Sequence, residues 1–282
     1  MDTIVILGAG ELGATLAYRL AAREICRRVV LVDPDLGKAQ GKALDILQAG
    51  PIGGFDTRVE AAADAAAAGT AEVFVVGDPP EPDPSAAAGA HAFVRALLPA
   101  LGRGVLLAAG PHPHALVEAA VRAGVPRSRA LGSAPTAYAA ALRRSLGVEL
   151  GASARRIELA VLGWPPGHLV VPQGSATLGG VPVERISATA TSRAIAAVRR
   201  RVPGPLALAA AATRVLTALA GPRGPVLSVV ACLDGEYGHR GVALAAPALL
   251  GSGRLASVLE FPLDPVNRVA LDSAAQARQE AG

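Results

Sequence analysis

Aromatic side chains are scarce in this chain. Its 282 residues include one Trp, three Tyr and four Phe, or 3% in all. Leu, Val, Ile and Ala must therefore fill the interior, which favours alanine-rich helices that pack closely. Cysteine is scarce as well. Cys26 and Cys232 stand outside any C-x-x-C pair, which excludes a disulfide scaffold and indicates buried thiols in a reducing compartment.

Long apolar runs and long basic stripes are also missing. No apolar run approaches the roughly 18 residues of a membrane span, and the N-terminus leads directly into a short apolar run without a signal peptide. The formal net charge is only +4, and the Arg clusters at 27–28, 143–144 and 199–201 are not interleaved with aromatic residues. We therefore expect a soluble, cytoplasmic protein with no membrane and no nucleic-acid partner.

The opening stretch carries the strongest pattern. An apolar run at 4–7 leads into the spacing G-x-G-x-x-G at Gly8, Gly10 and Gly13, and leucines then recur at helical spacing. This predicts a strand, a tight turn and a helix. Gly8 permits the turn, Gly10 leaves room for a pyrophosphate, and Gly13 lets the helix pack on the strand. The helix start is a predicted anion site.

A carboxylate closes the next apolar run. Asp33 follows residues 29–32, where it can accept both ribose hydroxyls of a dinucleotide and repel a 2′-phosphate, so NAD is the predicted cofactor. The alternative is a glycine-rich turn in another kind of α/β protein. The predicted cofactor-binding residues are Gly8, Gly10, Glu11, Leu12, Gly13, Asp33 and Gly77.

Strands and helices alternate through the first half. Predicted strands are 4–7, 29–32, 73–76, 105–109 and 130–132, and predicted helices are 36–50, 86–101 and 114–123. Alternation of this kind predicts an α/β fold, a Rossmann doubly wound parallel sheet. The loops after Leu7, Val32, Val76 and Ala109 should then meet in one crevice.

The second half changes character. Predicted strands are 156–162, 168–171, 176–178, 226–233, 242–245 and 256–261, and predicted helices are 193–201, 206–220 and 265–279. Tight turns such as D-G-E-Y-G at 234–238 imply antiparallel pairing in a C-terminal mixed α/β (α+β) domain. We place a Rossmann domain at 1–134 and a substrate domain at 135–282.

Four stretches resemble a known family. They are VILGAGELGATLAYRLA, LVDPDLGKAQGKALDILQAGPI, GGVPV and CLDGEYGHRGVALAAPALLGSGRLASVLEFPL. The chain resembles the lactate/malate dehydrogenase family, nearest its lactate-dehydrogenase-like malate dehydrogenases. The resemblance implies an NAD-binding domain, a substrate domain, a homodimer or homotetramer, and hydride transfer to or from a small 2-hydroxy or 2-oxo acid.

The resemblance also implies a set of catalytic side chains, and this sequence departs from each. An ungapped reading puts Pro165 at the place of the proton-carrying histidine. Tyr138 falls near the place of the aspartate that holds this histidine, and Ala141 falls near the place of an arginine. Gly110 replaces a strand-end asparagine. The loop GDPPEPDPSAAAGA contains no arginine, and its Glu81 and Asp83 would repel a dicarboxylate.

Substitutes for these groups are few. His168 is a candidate displaced proton carrier or a strand-edge residue, and Arg214, beside Thr213, is a candidate carboxylate contact. His112 and His114 have spacing that suits a metal, but no third ligand is evident, so no metal site is predicted. Tyr138 is a proton donor or a core residue. Asp78 is interpreted as a turn residue, and His91 and His239 as surface residues.

Three hypotheses remain at this point. The first is an NAD-dependent oxidoreductase with an altered active site and an unknown substrate, because loss of the acid–base residue alone lowers a rate by roughly 10²–10⁴. The second is a catalytically inactive NAD-binding relative, a pseudoenzyme with a regulatory or structural role. The third keeps only the oligomeric scaffold, with the crevice filled by Trp164 or the proline loop.

Overall fold

The computed structural model describes residues 1–77 and 88–281 in full, and the backbone of residue 87. The elements of the first half are β1 (Thr3–Leu7), α1 (Glu11–Ala21), β2 (Arg28–Val32), α2 (Leu36–Gly53), β3 (Arg58–Ala62), β4 (Val73–Val76), α3 (Ala87–Leu101), β5 (Val105–Ala108), α4 (His114–Arg122) and β6 (Ala130–Gly132).

These six strands are mutually parallel, in the order β3-β2-β1-β4-β5-β6. Their apolar runs are continuous because both faces of the sheet are buried. In β1, Ile4 and Ile6 join the core beneath α1 and α2, while Val5 and Leu7 join the core beneath α3 and α4. The predicted doubly wound Rossmann sheet is confirmed.

The second half continues the same sheet. Its elements are α5 (Ala134–Glu149), β7 (Ile157–Glu158), β8 (Leu162–Trp164), β9 (His168–Val170), β10 (Thr177–Leu178), β11 (Val181–Pro182), α6 (Val183–Ile186), α7 (Ala190–Val198), α8 (Pro205–Ala220), β12 (Val226–Asp234), β13 (Arg240–Gly251), β14 (Arg254–Val258) and α9 (Pro265–Glu280).

Antiparallel pairing dominates this half, as expected. β12 pairs with β13 through the predicted turn at 234–238, and β13 also pairs with β8 and β14. Val230 of β12 lies opposite Gly132 of β6, so the parallel and antiparallel parts form one sheet. The boundary at 134/135 therefore cuts a continuous sheet, and it remains a prediction.

Several predicted elements need correction. The strand expected at 156–162 is instead a short 3-10 turn followed by β7 and, after a break, β8. The helix expected to end at Gly50 continues to Gly53, because Gly54 supplies the left-handed C-cap, with φ +73°, whose N–H donates to the Gly50 carbonyl. β3 and α5 were not expected. Among the described helices, none combines the length and apolar character that crossing a bilayer requires.

A buried ion pair joins the two halves. Glu118 on α4 accepts a hydrogen bond from Arg278 Nη2 of α9 at 2.7 Å, and both side chains are 5% exposed. The other carboxylate oxygen of Glu118 accepts the backbone N–H of Ala243 on β13 at 2.9 Å. One carboxylate therefore connects a Rossmann helix to a strand and a helix of the second half.

We predict that Glu118→Ala lowers the free energy of unfolding by about 3–5 kcal/mol, because it leaves the Arg278 guanidinium buried without its counterion. Urea unfolding followed by circular dichroism measures this loss. The control is Glu149→Ala, which removes the largely exposed pair with Arg193 and should cost about 1 kcal/mol or less. Equal losses in the two variants would contradict the prediction.

Candidate active site

The turn after β1 has the backbone geometry that the glycine motif predicts. Gly8 has φ +99°, in the left-handed region, and its N–H donates to the Val32 carbonyl at 2.7 Å. Gly10 then occupies the N-cap of α1 with extended backbone. The helix begins at Glu11, so the positive end of its dipole faces the turn and favours an anion there.

Asp33 is fixed at the end of β2 by hydrogen bonds. Its Oδ2 accepts the Ala9 N–H at 2.9 Å and the Lys38 ammonium at 3.0 Å, while Oδ1 accepts the Asp35 N–H at 3.1 Å. Burial by itself would raise the pKa of this carboxyl, but the three donors outweigh it and hold the pKa below its usual range. The side chain is therefore a carboxylate at neutral pH.

A cavity of about 690 Å³ opens beside this carboxylate. Asp33 and Lys38 lie at one side, and Phe93 and Leu97 of α3 supply apolar walls. Its size lies within the range of about 300–1,000 Å³ that is usual for ligand pockets. A flat adenine ring suits the apolar walls, and a ribose beside it would meet the carboxylate. We call the glycine turn, Asp33 and this cavity the nucleotide seat.

Small residues also let β4 approach α1. A Cβ placed on Gly77 would lie 3.2 Å from Leu12 Cδ2 and 3.4 Å from Gly13 Cα, so both glycines keep the strand end close to the helix start. The structure thus brings together all the predicted cofactor residues: Gly8, Gly10, Glu11, Leu12, Gly13, Asp33 and Gly77. Their individual roles toward a dinucleotide remain predictions.

A turn that contains two prolines connects β8 to β9. β8 and β9 pair with Trp164 opposite His168, which leaves Pro165, Pro166 and Gly167 as the connecting turn. Gly163 adopts φ +90°, and a side chain there would clash with the His168 carbonyl. Neither proline has a side-chain group that can carry a proton.

Three side chains contact the single tryptophan, and a fourth, Glu118, pairs with one of the three. We call the five residues together the indole cluster: Trp164, His114, His168, Arg278 and Glu118. The His168 ring stacks on the indole at 6.0 Å between centroids and 9° between planes, and His114 meets it edge-on at 6.2 Å. The Arg278 guanidinium lies 5.6 Å from the indole centroid, in cation–π range.

His114 is buried inside this cluster. It is 4% exposed, and neither ring nitrogen has a hydrogen-bond partner among the described residues. Burial, reinforced by the charge of Arg278 and by His112, lowers the pKa of His114 to about 3. The ring is therefore neutral at ordinary pH. His112, two residues earlier, is exposed, so the pair predicted as a possible metal site lies in two different environments.

Arg214 lies outside the indole cluster. It is exposed on α8 and lines a cleft between α1, α5 and α8, which we call the arginine cleft because six arginines surround it: Arg19, Arg23, Arg143, Arg155, Arg214 and Arg223. Thr213 is fully buried, and its hydroxyl donates to the Ala209 carbonyl at 2.7 Å. His168 belongs to the indole cluster, so the two predicted catalytic residues occupy different surroundings.

The two remaining candidate histidines, His91 and His239, are both half-buried. His239, interpreted from sequence as a surface residue, lies 3.0 Å from Asp272 on α9. His91 lies on α3. Asp78, Glu81 and Asp83 lie outside the described residues. Within the described part of the chain, no group of three or more His, Cys, Asp or Glu side chains is arranged to hold a metal.

Comparison with known proteins identifies the family. Residues 2–82 match the family model described as lactate/malate dehydrogenase, NAD binding domain. A malate dehydrogenase from Thioalkalivibrio sulfidiphilus is 35% identical over 294 aligned residues, covering 96% of this chain and 95% of that protein. The chain belongs to the lactate/malate dehydrogenase family. NAD is its cofactor, and the family's proteins are NAD-dependent oxidoreductases that act on small molecules.

Other relatives agree. A malate dehydrogenase from Roseiflexus castenholzii is 29% identical and covers 97% of this chain and 95% of its own. The solved malate dehydrogenase from Salinibacter ruber superposes with a TM-score of 0.88 at 25% identity, covering 99% of this chain and 96% of that chain. The family resemblance drawn from the four sequence stretches is confirmed.

The residues that the resemblance predicts at the family's catalytic positions have uncharged surroundings or side chains in this structure. Tyr138 lies in the core of α5 at 1% exposure, and burial raises the pKa of its hydroxyl to about 12. That hydroxyl has no hydrogen-bond partner among the described residues. Ala141 follows on the same helix, and Gly110 follows β5, where its nearest neighbour is the Gly77 carbonyl. None of these side chains bears a charge.

Sequence reasoning missed two charged side chains. Lys38 was treated only as part of the second family stretch, yet its ammonium pairs with Asp33 at 3.0 Å. Its position five residues after the aspartate, near the first turn of α2, was the available signal. Arg278 gave no local signal, because its partner Glu118 lies 160 positions earlier in the chain.

We predict that Asp33→Ala weakens NADH binding by about tenfold to a hundredfold, because charge-assisted hydrogen bonds to the ribose are lost. Lys38→Ala should weaken NADPH binding more than NADH binding, since the ammonium neutralises the carboxylate that a 2′-phosphate would approach. Energy transfer from Trp164 to each dinucleotide measures the affinities.

The control for both variants is Asp64→Asn, which removes another carboxylate that lines the same cavity. Its NADH affinity should match that of the unaltered chain. Undiminished NADH binding by Asp33→Ala would show that the ribose does not rest on this carboxylate.

Proposed function

We propose that this family member binds NAD(H) in the nucleotide seat but has lost the usual His/Asp/Arg/Asn constellation, so that its hydride-transfer activity toward malate or lactate is strongly reduced. The observation that carries the proposal is the turn between β8 and β9. Pro165 and Pro166 occupy the segment in which the family resemblance calls for a proton-carrying histidine. A general acid–base residue contributes roughly 10²–10⁴ to a rate.

Three more replacements support this proposal. Tyr138 stands where a carboxylate would orient the histidine, and its hydroxyl has a raised pKa in an apolar core, so it neither carries charge nor anchors an imidazole at neutral pH. Ala141 and Gly110 offer no guanidinium and no amide. A slip of one residue in the alignment could explain one such replacement, but these four come from three separate elements.

The chemistry that the bound cofactor supplies is hydride transfer at its nicotinamide. This chain's own residues hold the adenosine part: the Asp33 carboxylate accepts from the ribose, and the start of α1 favours the pyrophosphate. Among the side chains around Trp164, Arg278 is already paired with Glu118. His114 stays neutral and buried, which leaves it unsuited to taking a proton from a substrate.

A second candidate function keeps catalysis through His168. This ring is half-buried and directly follows the proline turn, where it stacks on one face of Trp164. In that arrangement His168 acts as a displaced proton carrier for an altered 2-oxo acid substrate. Arg214 contributes to this candidate only if substrate reaches the arginine cleft, so His168 is the residue to test first.

We predict that NADH binds saturably while oxaloacetate and pyruvate are reduced at least about 10²-fold more slowly than the roughly 1–10³ s⁻¹ that is typical of enzymes. The relatives are named malate dehydrogenases, so oxaloacetate is the first substrate to assay, by loss of NADH absorbance. Turnover within that ordinary range would overturn the proposal.

The variant His168→Ala separates the two candidates, with His91→Ala as a histidine control on α3. A fall of about tenfold or more in residual turnover, with NADH affinity unchanged, supports the displaced proton carrier. Unchanged residual turnover supports the catalytically inactive relative.

The predicted homo-oligomer and cytoplasmic location also belong to the proposal. Exposed apolar side chains occur on α2, where Leu44 is 56%, Leu47 43% and Ile52 92% exposed, and Tyr18 on neighbouring α1 is 46% exposed. Such a patch is typical of protein interfaces.

Cys26 and Cys232 are both buried free thiols, as expected in a reducing compartment.

We predict that the double variant Leu44→Lys/Leu47→Lys dissociates a homodimer into monomers, because two charges replace apolar side chains at its interface. Light scattering after size exclusion measures the mass. The control, Val266→Lys/Val269→Lys, changes two exposed apolar residues on α9 and should leave the mass unchanged. A monomeric unaltered chain would contradict the proposed oligomer.

A further inference from the structure

The parallel part of the sheet contains the same unit twice. β1, α1, β2, α2 and β3 form one β-α-β-α-β unit, and β4, α3, β5, α4 and β6 form the next. The two units extend in opposite directions from the boundary between β1 and β4, because the strand order is β3-β2-β1-β4-β5-β6. In a sheet of this kind a dinucleotide lies across that boundary, over the carboxyl ends of the strands, with one nucleotide on each unit.

The nucleotide seat belongs to the first unit. The glycine turn follows β1 and Asp33 follows β2, so the adenosine half of the dinucleotide is assigned to these two strand ends. The second nucleoside then lies over the ends of β4 and β5. Gly77 follows β4 and Gly110 follows β5, and a Cβ placed on Gly110 would lie 3.7 Å from the Gly77 carbonyl oxygen. Two glycines at these strand ends leave room for a ring above them.

His112 lies in the second unit where Asp33 lies in the first, in the loop after the second strand. Its side chain is exposed, and it forms no hydrogen bond or ion pair with any residue that the structure describes. The chain has five histidines, all within the described ranges, and each of the other four is buried or half-buried. The ring of His112 is therefore the histidine ring most accessible to a ligand.

The segment that carries His112 is stiff and anchored. Pro111 precedes it and Pro113 follows it, and a residue before proline is restricted to extended backbone. Pro113 packs tightly on the end of β6, because a Cβ placed on Gly132 would lie only 2.6 Å from Pro113 Cβ. His114, 4% exposed, then anchors the first turn of α4. Little conformational entropy is lost when a side chain on such a backbone contacts a ligand.

We propose that His112 binds the nicotinamide nucleoside of the dinucleotide through hydrogen bonds of its imidazole. This inference rests on the proposed function, since it requires NAD(H) in the nucleotide seat. A neutral imidazole offers one donor and one acceptor, which suits both the ribose hydroxyls and the carboxamide of that nucleoside. Asp33 and His112 then hold the two nucleosides from equivalent loops of the two units.

Calorimetric titrations with NADH and with ADP test this assignment, because ADP contains the adenosine and the pyrophosphate but not the second nucleoside. We expect His112→Ala to weaken NADH binding about threefold to tenfold, as the loss of a hydrogen bond implies, and to leave ADP binding unchanged. Asp33→Ala should weaken the binding of both ligands. His112→Gln keeps a donor and an acceptor, so it should retain most of the NADH affinity.

The matched control is His239→Ala. This histidine lies in the turn after β12, which runs antiparallel to β6, so it lies at the opposite edge of the sheet from the carboxyl ends of the parallel strands. The control should bind NADH and ADP as tightly as the unaltered chain does.

Proton NMR supplies a second measurement, because five histidines give few ring signals. The signal that is missing from His112→Ala identifies the ring of His112 in the unaltered chain. We expect this signal to shift when NADH is added and to stay in place when ADP is added.

Three results would overturn this inference. Equal weakening of NADH and ADP binding in His112→Ala would mean that the ring only supports the fold around the nucleotide seat. Unchanged NADH affinity in that variant, or a His112 signal that NADH does not shift, would mean that the ring does not contact the second nucleoside. In these cases the nucleotide seat still stands, whereas failure of the unaltered chain to bind either ligand would overturn the seat and this inference together.

Discussion

The hydrogen bond from the Ala9 N–H to the Asp33 carboxylate is the interaction on which the nucleotide seat depends. It ties the turn after β1 to the end of β2, so the helix start that favours an anion is held next to the carboxylate predicted to accept the ribose hydroxyls. Left-handed Gly8 makes the approach feasible, and Asp35 and Lys38 complete the set of donors. The carboxylate stays charged because these donors outweigh its burial.

The glycine turn and the parallel sheet were predictable because their determinants are local. A motif of three glycines, two short apolar runs and a terminal aspartate all lie within the first 33 residues. Tertiary context decided the elements that were missed. α5 begins at Ala134, directly at the expected domain boundary, and its alanine-rich sequence carries little periodicity. β3 mixes buried residues such as Val59 with exposed charged residues such as Arg58 and Glu60, and Pro51 lies inside the last turn of α2 where a helix end was expected.

The candidate site was predictable only in part, for the same reason. The proposed replacements at Pro165, Tyr138 and Gly110 come from comparing the sequence with the family's catalytic pattern. The packing around Trp164 is not visible in the sequence, because His114, Trp164 and Arg278 come from three distant segments that meet only in the folded chain. Arg214 was assigned to substrate from its helix alone, whereas the neighbouring side chains from α1 and α5 place it in the arginine cleft.

The buried imidazole of His114 also limits how the protein tolerates acid. Its folded-state pKa lies near 3, whereas the same ring in an unfolded chain titrates near its ordinary value of 6.5. Between these two values the unfolded chain takes up a proton that the folded chain refuses, so acidification below about pH 6.5 shifts the balance toward unfolding. A mildly acidic medium would therefore destabilise this fold through a side chain that is only 4% exposed to solvent.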